Sequence, residues 1–113
     1  MSRLPEPPAE PVPPRRSPLE IGTYLVLSTA HITLKSSERL NSWAASPPEL
    51  QPIIIASTCY GWFISSFEVE GEAAQAVPVE IVAIQSFARS LGCQYILLDC
   101  DGDVVADLPT FSW

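Results

Sequence analysis

A short apolar run, Tyr95-Ile-Leu-Leu98, opens directly into the acidic string Asp99-Cys-Asp-Gly-Asp103, and the chain then closes on Leu108-Pro-Thr-Phe-Ser-Trp113. A continuous apolar stretch this brief, cut off at once by a Gly-containing turn, fits a strand buried on both faces better than a helix. Such a strand needs a neighbour on each side and cover above and below, so residues 94–99 predict the centre of a sheet. Asp101-Gly102 can then turn the chain back into a short terminal hairpin strand over residues 103–106.

The rest of the chain supplies the neighbours. Thr23-Tyr-Leu-Val-Leu-Ser28 follows Gly22 as a β-branched and aromatic run and predicts a first strand, itself buried on both faces. Ser36 or Ser37 can cap a helix over residues 37–45, where Leu40, Trp43 and Ala44 form an apolar stripe, and Pro47-Pro48 stops it. Residues 53–57 and 62–67 are strand-like, and the short link between them suits a hairpin with Gly61 free to take a positive φ. The stretch 68–76, with Glu68, Glu70 and Glu72 alternating, reads as a solvated loop. Pro78 then suits a helix first turn, Ile81, Ile84, Ala88 and Leu91 recur at helical spacing over residues 79–91, and Gly92 is placed to end that helix. The order β-α-β-β-α-β predicts a single small α+β domain with a ferredoxin-like or split βαβ sheet. Both helices would lie on one face and each crossover would be right-handed.

Length and composition bound the rest. At 113 residues, 47% hydrophobic and 17% charged, the chain makes one globular domain of modest core rather than two domains or a disordered polymer. Residues 1–18 hold seven of the twelve prolines and almost no core-forming side chain, which predicts a polyproline-like or disordered arm. Its PxxP spacings beside Arg15 and Arg16 also fit a ligand for a Pro-binding groove. Prolines 5 to 14 stand where the apolar core of a secretory signal would be, and three cysteines without CxxC spacing suit a reducing setting. A soluble, cytoplasmic protein is expected, with no membrane span.

Charge is uneven. The arm balances Arg3, Arg15 and Arg16 against Glu6 and Glu10, whereas residues 19–113 set Lys35, Arg39 and Arg89 against eleven carboxylates, a net of −8. A domain with that field repels nucleic acid, whose binding depends on cations neutralising phosphate. Direct nucleic-acid binding is therefore not expected, and a basic protein partner is.

Three chemistries need weighing at the acidic turn. Ile96-Leu-Leu-Asp99-Cys-Asp101-Gly102-Asp103 resembles the strand-then-DxDG opening of haloacid-dehalogenase-type phosphatases, but no lysine or arginine follows Asp103 to complete such a site. Asp99, Asp101 and Asp103 alternate like the first ligands of a calcium loop, yet that loop wants Gly at its sixth position and Glu at its twelfth, whereas Gly102 falls at the fourth and Thr110 at the twelfth. His31, the one histidine, could activate a cysteine, although nothing fixes Cys59, Cys93 or Cys100 near it, and Cys93 and Cys100 flank an apolar strand where inert buried thiols are usual. A structural histidine, bonded to its own loop or to a carboxylate of the acidic turn, is the stronger reading. No cofactor or metal is expected. The aromatic end, Phe111 and Trp113, must either fold back on the sheet or face a partner, and folding back is the better supported.

Ser28-Thr-Ala-His-Ile-Thr33, Tyr60-Gly-Trp-Phe63, Gly92-Cys-x-Tyr-Ile-Leu97, Asp99-x-Asp101 and the terminal Leu108-Pro-Thr-Phe-x-Trp113 together resemble a family of small uncharacterised bacterial proteins, carried on plasmids and integrative elements and known only as a domain of unknown function. The resemblance covers about residues 22–113 and implies a mobile-element accessory protein. Two function classes follow. One is a non-enzymatic binding protein, for example an anti-CRISPR or anti-restriction inhibitor, docking Asp99, Asp101, Asp103, Asp107, Phe111 and Trp113 on a basic nucleic-acid-binding effector or nuclease. The other is a small metal-dependent or hydrolytic enzyme using His31 with the Asp99, Asp101 and Asp103 turn. The lack of a complete catalytic set favours the first.

Overall fold

The computed structural model describes residues 19–113, so the Pro-rich arm and its PxxP spacings lie outside the described residues. Six elements follow in the expected β-α-β-β-α-β order: β1 (Tyr24–Ser28), α1 (Leu34–Ala44), β2 (Ile55–Ser57), β3 (Gly61–Ser65), α2 (Val79–Ser90) and β4 (Tyr95–Asp99). They build one α+β domain around a four-stranded mixed sheet of order β1-β4-β3-β2. β1 runs parallel to β4, while β3 is antiparallel to both β4 and β2.

The apolar run of β4 is central as its sequence demands, with β1 on one side and β3 on the other. Strand alternation sends Ile96 and Leu98 to one face, beside Leu27 of β1, Trp62 and Ile64 of β3 and Ile55 of β2. These residues form one core with Leu40 of α1 and Ile81, Ile84 and Ala88 of α2, which puts both helices on the same face of the sheet. The indole N–H of Trp62 donates to the Asn41 side chain at 2.9 Å, pinning α1 to β3.

Several expectations are corrected. β1 and β2 point the same way at opposite edges with two strands between them, a split βαβ, but the parallel β1–β4 pair is not part of an all-antiparallel ferredoxin-like sheet. β3 and β4 are antiparallel neighbours, so α2 joins them without a parallel crossover and the handedness rule has nothing to act on there. β1 is an edge strand buried on one face, not two: Leu27 is buried while Tyr24 and Val26 are exposed. α1 begins earlier than Ser36, because the Thr33 hydroxyl accepts the Ser36 N–H at 3.1 Å and caps the helix there. Gly61 does not have a positive φ; Gly71 and Gly92 do, the latter as the residue that ends α2. Residues 68–76 include a 3-10 turn, Gly71–Ala76.

Residues 103–106 are not a strand. Both edges of β4 are already taken by β1 and β3, so a chain turning back at Gly102 finds no free edge on β4 to pair with. It is held instead by the bond from the Ser28 N–H to the Asp103 carbonyl, 2.8 Å, and by the Val105 N–H donating to the His31 ring, 3.0 Å, and passes over the end of the sheet.

Candidate functional site

The candidate site lies at the carboxyl ends of β1 and β4. Past β1, Ser28 turns the chain by accepting the Ala30 N–H on its hydroxyl, 3.0 Å, and the 3-10 turn Thr29–His31 follows. Past β4, the Asp99 carboxylate accepts the Asp101 N–H at 2.8 Å and the Asp99 carbonyl accepts the Gly102 N–H at 2.9 Å. Gly102 lies so close to β1 that a Cβ would sit 2.6 Å from the Leu27 carbonyl. Only glycine lets the acidic turn cross there.

His31 is 1% exposed and both ring nitrogens are engaged. Nδ1 lies 2.8 Å from the Pro109 carbonyl oxygen, which can only accept, so Nδ1 carries the proton. Nε2 is thereby left with a lone pair, and it accepts the Val105 N–H at 3.0 Å. The imidazole is a neutral bracket holding the tail. Its partners are tail backbone groups, not its own loop and not a carboxylate of the acidic turn.

The tail closes over this bracket. Leu108 enters the core at 8% exposure, the Phe111 N–H donates to the Ala30 carbonyl at 2.8 Å, and the Trp113 indole donates to the Ile32 carbonyl at 2.9 Å. The terminal aromatics thus fold back, as expected, yet Trp113 keeps one side in solvent at 57% exposure. Asp101, Asp103 and Asp107 are exposed and Asp99 is half-buried. Oxygen and sulfur atoms of Asp99, Cys100 and Asp101 come within 4.8 Å of one another. With Asp99 half-buried and Cys100 and Asp101 exposed, the group forms an acidic corner at the surface.

The sequence-based site residues therefore fall on one end of the domain, with Asp99, Asp101 and Asp103 on the turn and Phe111 and Trp113 on the tail. Sequence reasoning missed Tyr60, exposed on the β2–β3 hairpin, whose carbonyl accepts the Cys100 N–H at 3.0 Å. Cys100, expected buried, is exposed because it lies one residue beyond β4 in the turn; Cys59 is exposed too, and Cys93 is half-buried.

A second polar cluster was not anticipated. Glu80 in the first turn of α2 accepts from the Thr33 N–H at 3.3 Å, the Thr33 hydroxyl at 2.8 Å and the Ser36 hydroxyl. Burial pushes its carboxyl upward, but the bonds from Ser36, its own backbone and Thr33 outweigh that and hold it below the usual carboxylate range. Lys35 and Arg39 line the same hollow of about 300 Å³. The carboxylate sits over the amino end of α1 and occupies the place an anion would take.

Residues 24–113 match the C-terminal domain of a family of unknown function, DUF5983. The chain belongs to this family. No curated protein and no solved structure matches the chain significantly. The DUF5983 match opens at the first residue of β1 and runs to Trp113, so His31, the acidic turn and the tail all lie within it. Among the described residues, no helix is long and apolar enough to cross a membrane.

Proposed function

We propose that this DUF5983 domain is a non-enzymatic, cytoplasmic binding protein that docks its acidic carboxyl end on a basic protein surface. The observation that carries this reading is the division of labour around His31: the imidazole is consumed in holding the tail, while Asp101, Asp103, Asp107 and Trp113 stand exposed. A proton-transfer role would need a free ring nitrogen reaching substrate. A docking role needs what is on the surface, an exposed aromatic side chain and charge of one sign. The net of −8 over residues 19–113 directs the surface toward a cationic partner and away from nucleic acid. In the mobile-element setting that the resemblance implies, a nuclease or effector subunit of a restriction or CRISPR system is the class of partner with that chemistry, and inhibition by covering its nucleic-acid face is the corresponding task.

The test is capture from bacterial lysate at low and high salt, with Asp101→Lys/Asp103→Lys and Trp113→Ala beside the parent chain. Salt-labile retention of a nucleic-acid-binding protein, lost on charge reversal and weakened by the tryptophan change, is expected. Hydrolysis of a phosphate ester, or tight divalent-cation binding abolished by Asp101→Ala, would replace the docking reading with the enzymatic one.

A further inference from the structure

Among the described residues, no element covers the face of the sheet opposite the helices, and that face is aromatic. By strand alternation Tyr24 and Val26, Phe63, and Tyr95 and Leu97 all lie on it, and Phe67 joins them just past β3. Their rings form one continuous group: Tyr24 meets Phe63 edge-on at 5.9 Å, Phe63 stacks on Tyr95 at 5.1 Å, and Phe67 meets Tyr95 edge-on at 5.9 Å. Tyr24 and Phe67 remain about half exposed, at 55% and 48%. Four adjoining rings left open on a sheet face make an unusually apolar surface for a domain of this charge.

The chain itself arrives at this surface. The Thr23 N–H donates to the Gln94 side chain at 2.6 Å, and Glu20, Ile21 and Gly22 line a concavity with Phe67, Gln94 and Tyr95. Glu20, Ile21 and Gly22, just after residues 1–18 in the sequence, therefore lie beside the aromatic group. The chemistry of residues 1–18 is complementary to it, with seven prolines and three arginines. Proline rings pack flat on Tyr and Phe with little entropy to lose, which is how aromatic grooves take Pro-rich segments, and guanidinium groups stack on the same ring faces. Charge agrees: the segment is +1 and the domain −8. Glu20 lies in the concavity, and Glu68 follows Phe67 in the chain. Eighteen residues at ~3.1 Å each could span ~55 Å, whereas four strands cover only about 19 Å.

We propose that the aromatic sheet face is the docking surface for this chain's own Pro-rich segment, residues 1–18, with proline rings on Tyr24, Phe63, Tyr95 and Phe67 and Arg15 and Arg16 against Glu20 and Glu68. The full chain tests it, with Cys59→Ser, Cys93→Ala and Cys100→Ser removing the native thiols and Ala9→Cys carrying a nitroxide. Selective broadening of the Val26, Phe63 and Leu97 amides, with the Val82 amide of α2 unaffected and no change on dilution with unlabelled chain, is expected. Arg15→Glu/Arg16→Glu should lose most of that broadening, and Phe63→Ser should lose it while the rest of the amide spectrum keeps its dispersion. Absent or uniform broadening overturns the proposal. So does broadening that appears on unlabelled copies in a mixed sample, because the occupant is then another molecule's segment.

Discussion

Glu80 belongs to α2 but serves α1, its carboxylate gathering the Thr33 and Ser36 hydroxyls and the Thr33 N–H. Glu80→Ala should lower stability by about 1–2 kcal/mol, measured as a lower urea midpoint at unchanged slope. The pH dependence follows from the lowered carboxyl value. The fold favours the charged form, so this contribution is complete above the ordinary carboxylate range and is lost as pH falls through the lowered value. Urea midpoints followed down through that range should fall less steeply for Glu80→Gln than for the parent. His31 makes a comparable case. His31→Ala strands the Val105 N–H and the Pro109 carbonyl and should destabilise by about 2–4 kcal/mol, with faster hydrogen exchange at Val105 and Phe111. That His31 would find hydrogen-bond partners within the fold was legible from the sequence. Which groups those are was not, since they lie more than seventy positions away.

Among elements, the two glycines that frame β3 and β4 show which turn chemistry a sequence exposes. Gly92 was legible as the residue that ends α2, because a helix stop is a local signal, and its φ of 80° agrees. Gly61 was legible as necessary but for the wrong reason. It sits inside β3, where an added methyl would overlap the Leu98 carbonyl of β4. Gly61→Ala should therefore destabilise by about 2–3 kcal/mol in chemical denaturation, more than the roughly 1 kcal/mol expected of Gly92→Ala, which meets no neighbouring atom and suffers only backbone strain. The start of α1 differs for a related reason. Thr33 competes with Ser36 and Ser37 for the cap, and all three residue types are good caps. Thr33 prevails because Glu80 secures its hydroxyl and holds Ser36 inside the helix.

At the scale of the whole molecule, one face of the sheet carries the core, and the other is left uncovered by the described residues. Truncation should reveal the difference: Ile96→Ala, from a side chain with no exposure, should lose about 3 kcal/mol in urea denaturation, and Val26→Ala, from one 41% exposed, less than about 1. The sequence by itself determined the kind and order of the elements, the central place of β4, the acidity of the domain and the clustering of Asp99, Asp101 and Asp103. Hydrophobic period, caps and charge act over a few residues and are written where they act. Only the tertiary structure decided that β1 pairs with β4, that the tail finds no free edge and is bracketed by His31, and that Tyr24, Phe63 and Tyr95 share the face opposite the helices. Those outcomes depend on which distant strands meet, and a strand's own alternation says that it has two faces without saying what will cover each.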